Sequence, residues 1–154
     1  HSYGIIHGDI KTNNMVLQCC LKKQILKLVD FGMAYFTDTD DCIEIDYKCG
    51  TVGYRAPEQD NHEMCYRSDV YSMGITIIEL WNGEIWIDKD DFKGCRREAF
   101  SGLRKIEVNN KRFGKLLRDS ISLNYKKRPT AERFLKRFND IFNNDHKHRN
   151  NQMD

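Results

Sequence analysis

The sequence Ile5-Ile6-His7-Gly8-Asp9-Ile10-Lys11-Thr12-Asn13-Asn14-Met15-Val16-Leu17 decides how this chain is read. An apolar pair leads in, short polar residues follow, and a second apolar run leads out. A carboxylate (Asp9), an ammonium (Lys11) and a carboxamide (Asn14) are thereby confined to one short loop between apolar flanks. Further on, Leu28-Val29-Asp30-Phe31-Gly32 delivers a second carboxylate. Oxygen donors such as an Asp paired with an Asn suit a hard divalent cation.

Working outward, the 154 residues predict one domain with a sizeable core. Hydrophobic residues at 40% and charged residues at 31% fit a soluble globular protein, and no apolar run approaches membrane-spanning length. The N-terminus has no basic region followed by an apolar one, so no secretory signal is read there. Cys19, Cys20, Cys42, Cys49, Cys65 and Cys95 show no Cys-x-x-Cys spacing, which favours reduced thiols over a zinc site or disulfide framework and suggests a cytoplasmic setting, with the nucleus as the alternative. The net charge of +2 hides an acidic segment (Asp38, Asp40, Asp41, Glu44, Asp46) and later basic residues from Arg96 to Arg128. Basic residues between apolar helical positions read as a solvated face, so no nucleic-acid partner and no membrane partner is expected.

Met15 to Gln18 and Ile25 to Val29 are predicted strands of a small hairpin, and Gly4 a left-handed cap ending a helical turn. From Asp30 to Glu58 no period persists, and a loop of that length in a compact domain is usually functional. Ser68 is read as the N-cap of a helix running to about Trp81 and closed by Asn82-Gly83. Val70, Met73, Ile75, Ile77, Ile78 and Leu80 leave that helix almost no polar face, which predicts burial. One further helix is expected within Lys89 to Glu107. Phe113, Leu116, Leu117 and Ile121, and then Phe134, Leu135, Phe138, Ile141 and Phe142, recur at helical spacing, with Thr130 capping the second series. Residues 143–154 form a polar tail expected to be disordered.

The two opening motifs together resemble the catalytic loop and the metal-binding Asp-Phe-Gly turn of eukaryotic protein kinases. Gly50-Thr51-Val52-Gly53-Tyr54-Arg55-Ala56-Pro57-Glu58 resembles the end of the activation segment, with its Ala-Pro-Glu motif. Ser68-Asp69-Val70-Tyr71-Ser72-Met73-Gly74 is similar to the start of the central helix of the kinase C-terminal lobe, with Tyr71 where the family carries Trp. The only two prolines, Pro57 and Pro129, both fall at motif positions, the second in Arg128-Pro129-Thr130. The resemblance spans Tyr3 to Phe142. It implies a mainly α fold with a small β-hairpin, a protein kinase C-terminal lobe over residues 1–142.

By that resemblance, Asp9 accepts the proton of a substrate hydroxyl, Lys11 sits on the γ-phosphate of ATP, and Asn14 and Asp30 hold Mg²⁺, for which Mn²⁺ can substitute. Thr51 is expected near Asp9 and Lys11, a combination similar to serine/threonine kinases, which transfer the γ-phosphate of ATP to Ser and Thr hydroxyls of protein substrates. Glu58 and Arg128 match a buried ion pair, Asp69 a carboxylate that accepts backbone N–H bonds from the catalytic loop, and His7 and Phe31 members of an apolar column. Gly32 completes the turn after Asp30.

Two features depart from the pattern. Gly8 stands where most kinases carry an Arg that pairs with activation-loop phosphate, so activity is expected not to be gated by phosphate on Thr37, Thr39 or Tyr47. Nothing in the 154 residues resembles the N-terminal lobe: neither a glycine-rich loop nor the strand lysine with its helix glutamate is found. The chain is therefore expected to be a kinase fragment with little activity alone. The alternative is a naturally truncated kinase-like module that binds and inhibits another kinase.

Overall fold

The computed structural model describes residues 1–20, 23–83 and 92–150. Strand β1 (Ile5–Ile6) enters the loop and pairs antiparallel with β4 (Tyr35–Phe36). Between them lies a hairpin of β2 (Met15–Cys20) and β3 (Lys23–Leu28), in register Met15↔Leu28 to Cys20↔Lys23. The hairpin is longer at its tip than its apolar stretches suggest, because Cys19, Cys20, Lys23 and Gln24 continue the ladder, and it ends at Leu28 rather than Val29; the residues at its tip lie outside the described ones. A third two-stranded sheet joins β5 (Ile43–Glu44) to β6 (Glu63–Met64). A short helix α1 (Pro57–Asp60) sits between those strands, with its proline in the first turn, where the missing N–H costs nothing.

The helical body comprises α2 (Tyr66–Asn82), α3 (Phe92–Asn109), α4 (Lys111–Ser120) and α5 (Ala131–Asn150). Gly83, in the left-handed conformation, closes α2 with its N–H on the Glu79 carbonyl (3.0 Å). The start of α2 corrects the sequence reading. Cys65 is the cap and Ser68 lies inside the first turn, where its hydroxyl reaches back to accept the Cys65 N–H (3.1 Å). A hydroxyl three residues past the cap satisfies the same orphan donor from the other direction. Thr130 does cap α5, accepting from the Arg133 N–H (3.2 Å). The part of the third predicted helix before Phe92 lies outside the described residues. Helix α5 overlaps the polar segment that begins at residue 143; side chains past Asn143, and residues 151–154, are likewise outside them.

Helix α2 is the spine. Tyr71, Ile75 and Ile78 pack with Ala99, Leu103 and Ile106 of α3, with Phe113, Leu116 and Leu117 of α4, with Ile121 just beyond it, and with Phe134 and Ile141 of α5. Each of the Leu, Ile and Phe side chains among them contributes about 1.5–3 kcal/mol by leaving water. Helix α2 is not, however, the apolar rod expected. Ser68, Asp69, Ser72, Thr76 and Glu79 are all buried, while Leu80 and Trp81 are exposed. The Ser72 and Thr76 hydroxyls hide their polarity by donating to carbonyls one turn back, those of Ser68 (3.2 Å) and Ser72 (2.8 Å). A smaller cluster of Ile6, Ile45, Cys49 and Met64 lies under the loop that follows β1. Among the described residues, no helix is long and apolar enough to cross a membrane.

Candidate functional site

The loop after β1 reaches its shape through Gly8, whose φ of +79° lies in the left-handed region. A Cβ there would stand 2.5 Å from the Met33 carbonyl oxygen and 3.1 Å from the Met64 sulfur. The backbone of this loop and that of residue 33 therefore approach more closely than any side-chain-bearing residue allows. The expected Arg-to-Gly departure thus has a local structural counterpart.

Asp69, in the first turn of α2, fixes the loop from below. Its Oδ2 accepts the His7 N–H (2.8 Å) and its Oδ1 the Gly8 N–H (2.9 Å), while His1 Nε2 lies 3.0 Å from Oδ2. Burial pushes the Asp69 carboxyl up to about 6, against the pull of the two backbone donors. Gln59, fully buried on α1, holds the other side: its Nε2 donates to the Gly8 carbonyl (2.9 Å) while its Oε1 accepts the Ala56 N–H (2.7 Å). Nothing in the sequence singled out Gln59.

Asp9 emerges from this frame with both carboxylate oxygens occupied. Oδ1 accepts the Thr51 N–H (2.8 Å) and the Thr51 hydroxyl (2.7 Å). Oδ2 accepts the Lys11 ammonium (2.7 Å) and the Asn14 Nδ2 (3.2 Å). Lys11 also donates to Thr51 Oγ1 (2.6 Å), closing a triangle of carboxylate, ammonium and hydroxyl. Burial alone would raise the Asp9 carboxyl, but the Lys11 and Thr51 hydrogen bonds and the Lys11 charge together hold it below its ordinary 3.8. Asp9 is therefore ionised at neutral pH.

Asn14 ends a single 3₁₀ turn (Thr12–Asn14) and also donates to the Asp9 carbonyl (2.8 Å). Both of its donations come from Nδ2, so the carboxamide oxygen is the atom left for a ligand. The Asn14 carbonyl accepts the Val29 N–H (3.0 Å), which brings the chain past this turn one residue before Asp30. Asp30 is exposed, adopts a left-handed φ of +63°, and accepts one long bond from the Gly32 N–H (3.3 Å). A strained non-glycine residue whose carboxylate faces solvent suits an outside ligand. Among the described residues, no cluster of three or more His, Cys, Asp or Glu could hold a metal ion. One carboxylate and one carboxamide nevertheless match Mg²⁺, which keeps waters and takes its remaining oxygens from substrate phosphates.

The His7 and Phe31 rings pack tilted by 56°, with centroids 4.9 Å apart, and the His7 Nε2 lies 3.1 Å from the Val29 carbonyl. Glu58 and Arg128 meet through two bonds of 2.6 and 2.8 Å and are both buried. Ser68 donates to the same Glu58 carboxylate (2.6 Å), and Arg128 further donates to the Ser122 and Arg67 carbonyls (2.7 and 2.9 Å) and lies over the Tyr71 ring (4.9 Å). This network satisfies the donors and acceptors that make a buried pair tolerable.

A fourth buried carboxylate, Glu79, escaped the sequence reading. Tyr54 donates its hydroxyl to Glu79, 2.8 Å from both oxygens, joining the segment after Thr51 to the last turns of α2. Burial raises the Glu79 carboxyl, with the Tyr54 and Thr12 hydroxyls opposing it. A single charged residue within the apolar run 70–80 was the available signal, since a carboxylate there must find a partner.

The protein kinase domain family matches residues 1–138. The chain is 30% identical over 138 residues to the serine/threonine-protein kinase kin-29 of Caenorhabditis briggsae, covering 88% of this chain and 16% of that protein. It is 33% identical over 147 residues to the RAF proto-oncogene serine/threonine-protein kinase of Xenopus laevis, covering 88% of this chain and 23% of the relative. Against the Arabidopsis thaliana serine/threonine-protein kinase CDG1 the identity is 40% over 81 residues, or 51% and 18% of the two chains. The chain thus spans less than a quarter of the length of each of these relatives.

Proposed function

Since this chain belongs to the protein kinase family, we propose that it is the C-terminal lobe of a serine/threonine kinase and carries the substrate and metal sides of its phosphoryl-transfer site. In this reading Asp9 orients the attacking hydroxyl and takes its proton, Lys11 neutralises charge on the γ-phosphate, and Thr51 holds both in place. The observation that carries the reading is the triangle of Asp9, Lys11 and Thr51, in which the Thr51 hydroxyl bridges the ammonium and the carboxylate at 2.6 and 2.7 Å. A hydroxyl is seated where a hydroxyl substrate must be oriented, beside a carboxylate that is ionised.

Phosphoryl transfer asks the protein for positioning and charge neutralisation more than covalent chemistry. Asn14 Oδ1 and the Asp30 carboxylate would hold Mg²⁺, with Mn²⁺ able to substitute; the ion supplies neutralisation of the developing phosphate charge. Beside Asp30, the hairpin exposes apolar side chains on both faces, Val16 on one and Leu17, Leu26 and Leu28 on the other, with Phe31 exposed just beyond it; such surface suits a purine and the rest of a kinase domain. ATP would contact surfaces beyond these 154 residues as well as this one. The protein substrate would approach from the side of Thr51, and a cytoplasmic or nuclear setting fits such a substrate.

The test uses a complete kinase domain containing this chain, supplied with Mg²⁺, ATP and peptides offering Ser, Thr or Tyr. Phosphate on Ser and Thr peptides, lost in Asp30→Asn, is expected. Transfer to Tyr alone, or full activity in Asp30→Asn, would overturn the reading.

A further inference from the structure

The two-residue sheet of β5 and β6 has a consequence outside the kinase site. Its register, Ile43↔Met64 and Glu44↔Glu63, extended by one residue, sets Cys42 opposite Cys65. The Ile45 N–H donates to the His62 carbonyl (2.9 Å), so that pair is hydrogen-bonded. Alternation along an antiparallel ladder then makes 44/63 non-bonded, 43/64 bonded and 42/65 non-bonded. Non-bonded pairs have the closer Cα atoms, about 4.5 Å apart, within the window of roughly 4.4–6.8 Å that a disulfide spans. The backbone of Cys65 is extended (φ −145°, ψ 172°), as continuing the strand requires.

The side chains agree with the register. The two thiols lie near enough for Cys65 to perturb Cys42; Cys42 is half-buried and Cys65 fully buried, its sulfur 3.6 Å from the Ser68 hydroxyl. Burial first, and then the Cys65 thiol, push the Cys42 thiol well above its ordinary 9.0. Only a small fraction of Cys42 is thiolate, so its oxidation is slow and calls for sustained peroxide. The other cysteines lie elsewhere: Cys49 packs on the Met64 sulfur (3.4 Å), and Cys19 is exposed on the hairpin.

We propose that Cys42 and Cys65 form a redox-modification site, a cross-strand disulfide made by a hydroperoxide that staples the segment carrying Thr51 to the start of α2. Cys42, the more accessible thiol, attacks the peroxide oxygen as thiolate; the O–O bond breaks, the alcohol or water leaves with the thiol's proton, and a sulfenic acid remains on Cys42. The Cys65 sulfur then attacks the Cys42 sulfur, the S–S bond forms, the S–O bond breaks, and hydroxide departs as water with the Cys65 proton. Two thiols lose two electrons and two protons, and one peroxide bond is reduced. The closed ring runs from residue 42 to 65, enclosing Asp46, Thr51 and Glu58, and makes permanent a sheet of only two ladder pairs.

The folded 154-residue chain is treated with hydrogen peroxide, its remaining thiols are alkylated, and the digest is read by mass spectrometry without reduction. The expected result is a 42–65 linked peptide as the dominant cross-link, reversed by dithiothreitol, lost in Cys42→Ser, and much diminished when oxidation is done in urea. A dominant link through Cys19 or Cys49, or oxidation of Cys42 to sulfinic acid without a link, would overturn the proposal. So would equal yield of the 42–65 link from folded and unfolded chain.

Discussion

Two carboxylates of the candidate site differ in how the fold treats them. Asp9 is buried, accepts four donors and rides on a loop bolted to α2 by Asp69 and to α1 by Gln59. Asp30 is exposed, accepts one long bond and follows a hairpin whose apolar residues face solvent. The helical body therefore braces the substrate side of the site, while among the described residues the metal side is held by its strained backbone, the Val29 links to Asn14 and His7, and the His7–Phe31 ring contact. Pre-organisation and openness are divided between two residues that the proposed chemistry requires together.

The sharpest way to break this contrast is at the pair beneath the first region. Arg128→Met removes one partner of a fully buried ion pair and leaves the Glu58 carboxylate uncompensated; unfolding in urea should show a loss of about 3–5 kcal/mol. A loss under 1 kcal/mol would mean the network does not anchor the loop. Next in size is Asp69→Ala, which strands the His7 and Gly8 N–H groups and should cost about 2–4 kcal/mol in the same measurement. Its counterpart Asp30→Asn, on an exposed side chain, should stay within about 0.5 kcal/mol of the parent chain. Equal costs at the two positions would erase the distinction between bolted and open regions.

Gly8→Ala places a Cβ against the Met33 carbonyl at a left-handed φ and should cost about 1–3 kcal/mol, read as a lowered Tm. An unchanged Tm would show that the loop can move away from residue 33. Titration by carboxyl NMR sharpens the comparison further, because Asp9 and Asp69 are shifted in opposite directions. Asp9, held below 3.8, stabilises the fold above that pH and loses its contribution as pH falls through its lowered value. Asp69, raised to about 6, favours the fold in its protonated form, so its contribution declines as pH rises from 3.8 to about 6. Finding Asp69 at or below 3.8 would show that its backbone donors outweigh burial.

What the sequence disclosed follows the same division. The confinement of Asp9, Lys11 and Asn14 to one loop was legible because apolar runs bracket it, and the faces of α4 and α5 because apolar residues recur at helical spacing, save Leu135, which is exposed. The inside of α2 was not. Ser72 and Thr76 bury hydroxyls that bond their own helix, and hydropathy reads such residues as neither core nor surface. Ser68 read as a cap because a hydroxyl at the cap and one three residues later satisfy the same end of a helix. Gln59 and Tyr54 act through partners far along the chain, and no local pattern marks a glutamine that will meet the Gly8 carbonyl. The facing of Cys42 and Cys65 depends on the register of a sheet too short to show alternation.

The most direct test of the account is the rate constant of phosphoryl transfer in a complete kinase domain bearing Asp9→Asn, compared with the parent at saturating ATP. The carboxamide keeps the size of the side chain but cannot take a proton, so kcat should fall about 10²–10⁴-fold with the KM for ATP little changed. A kcat equal to that of the parent would contradict the assignment of Asp9 and, with it, the central claim that this loop performs the chemistry.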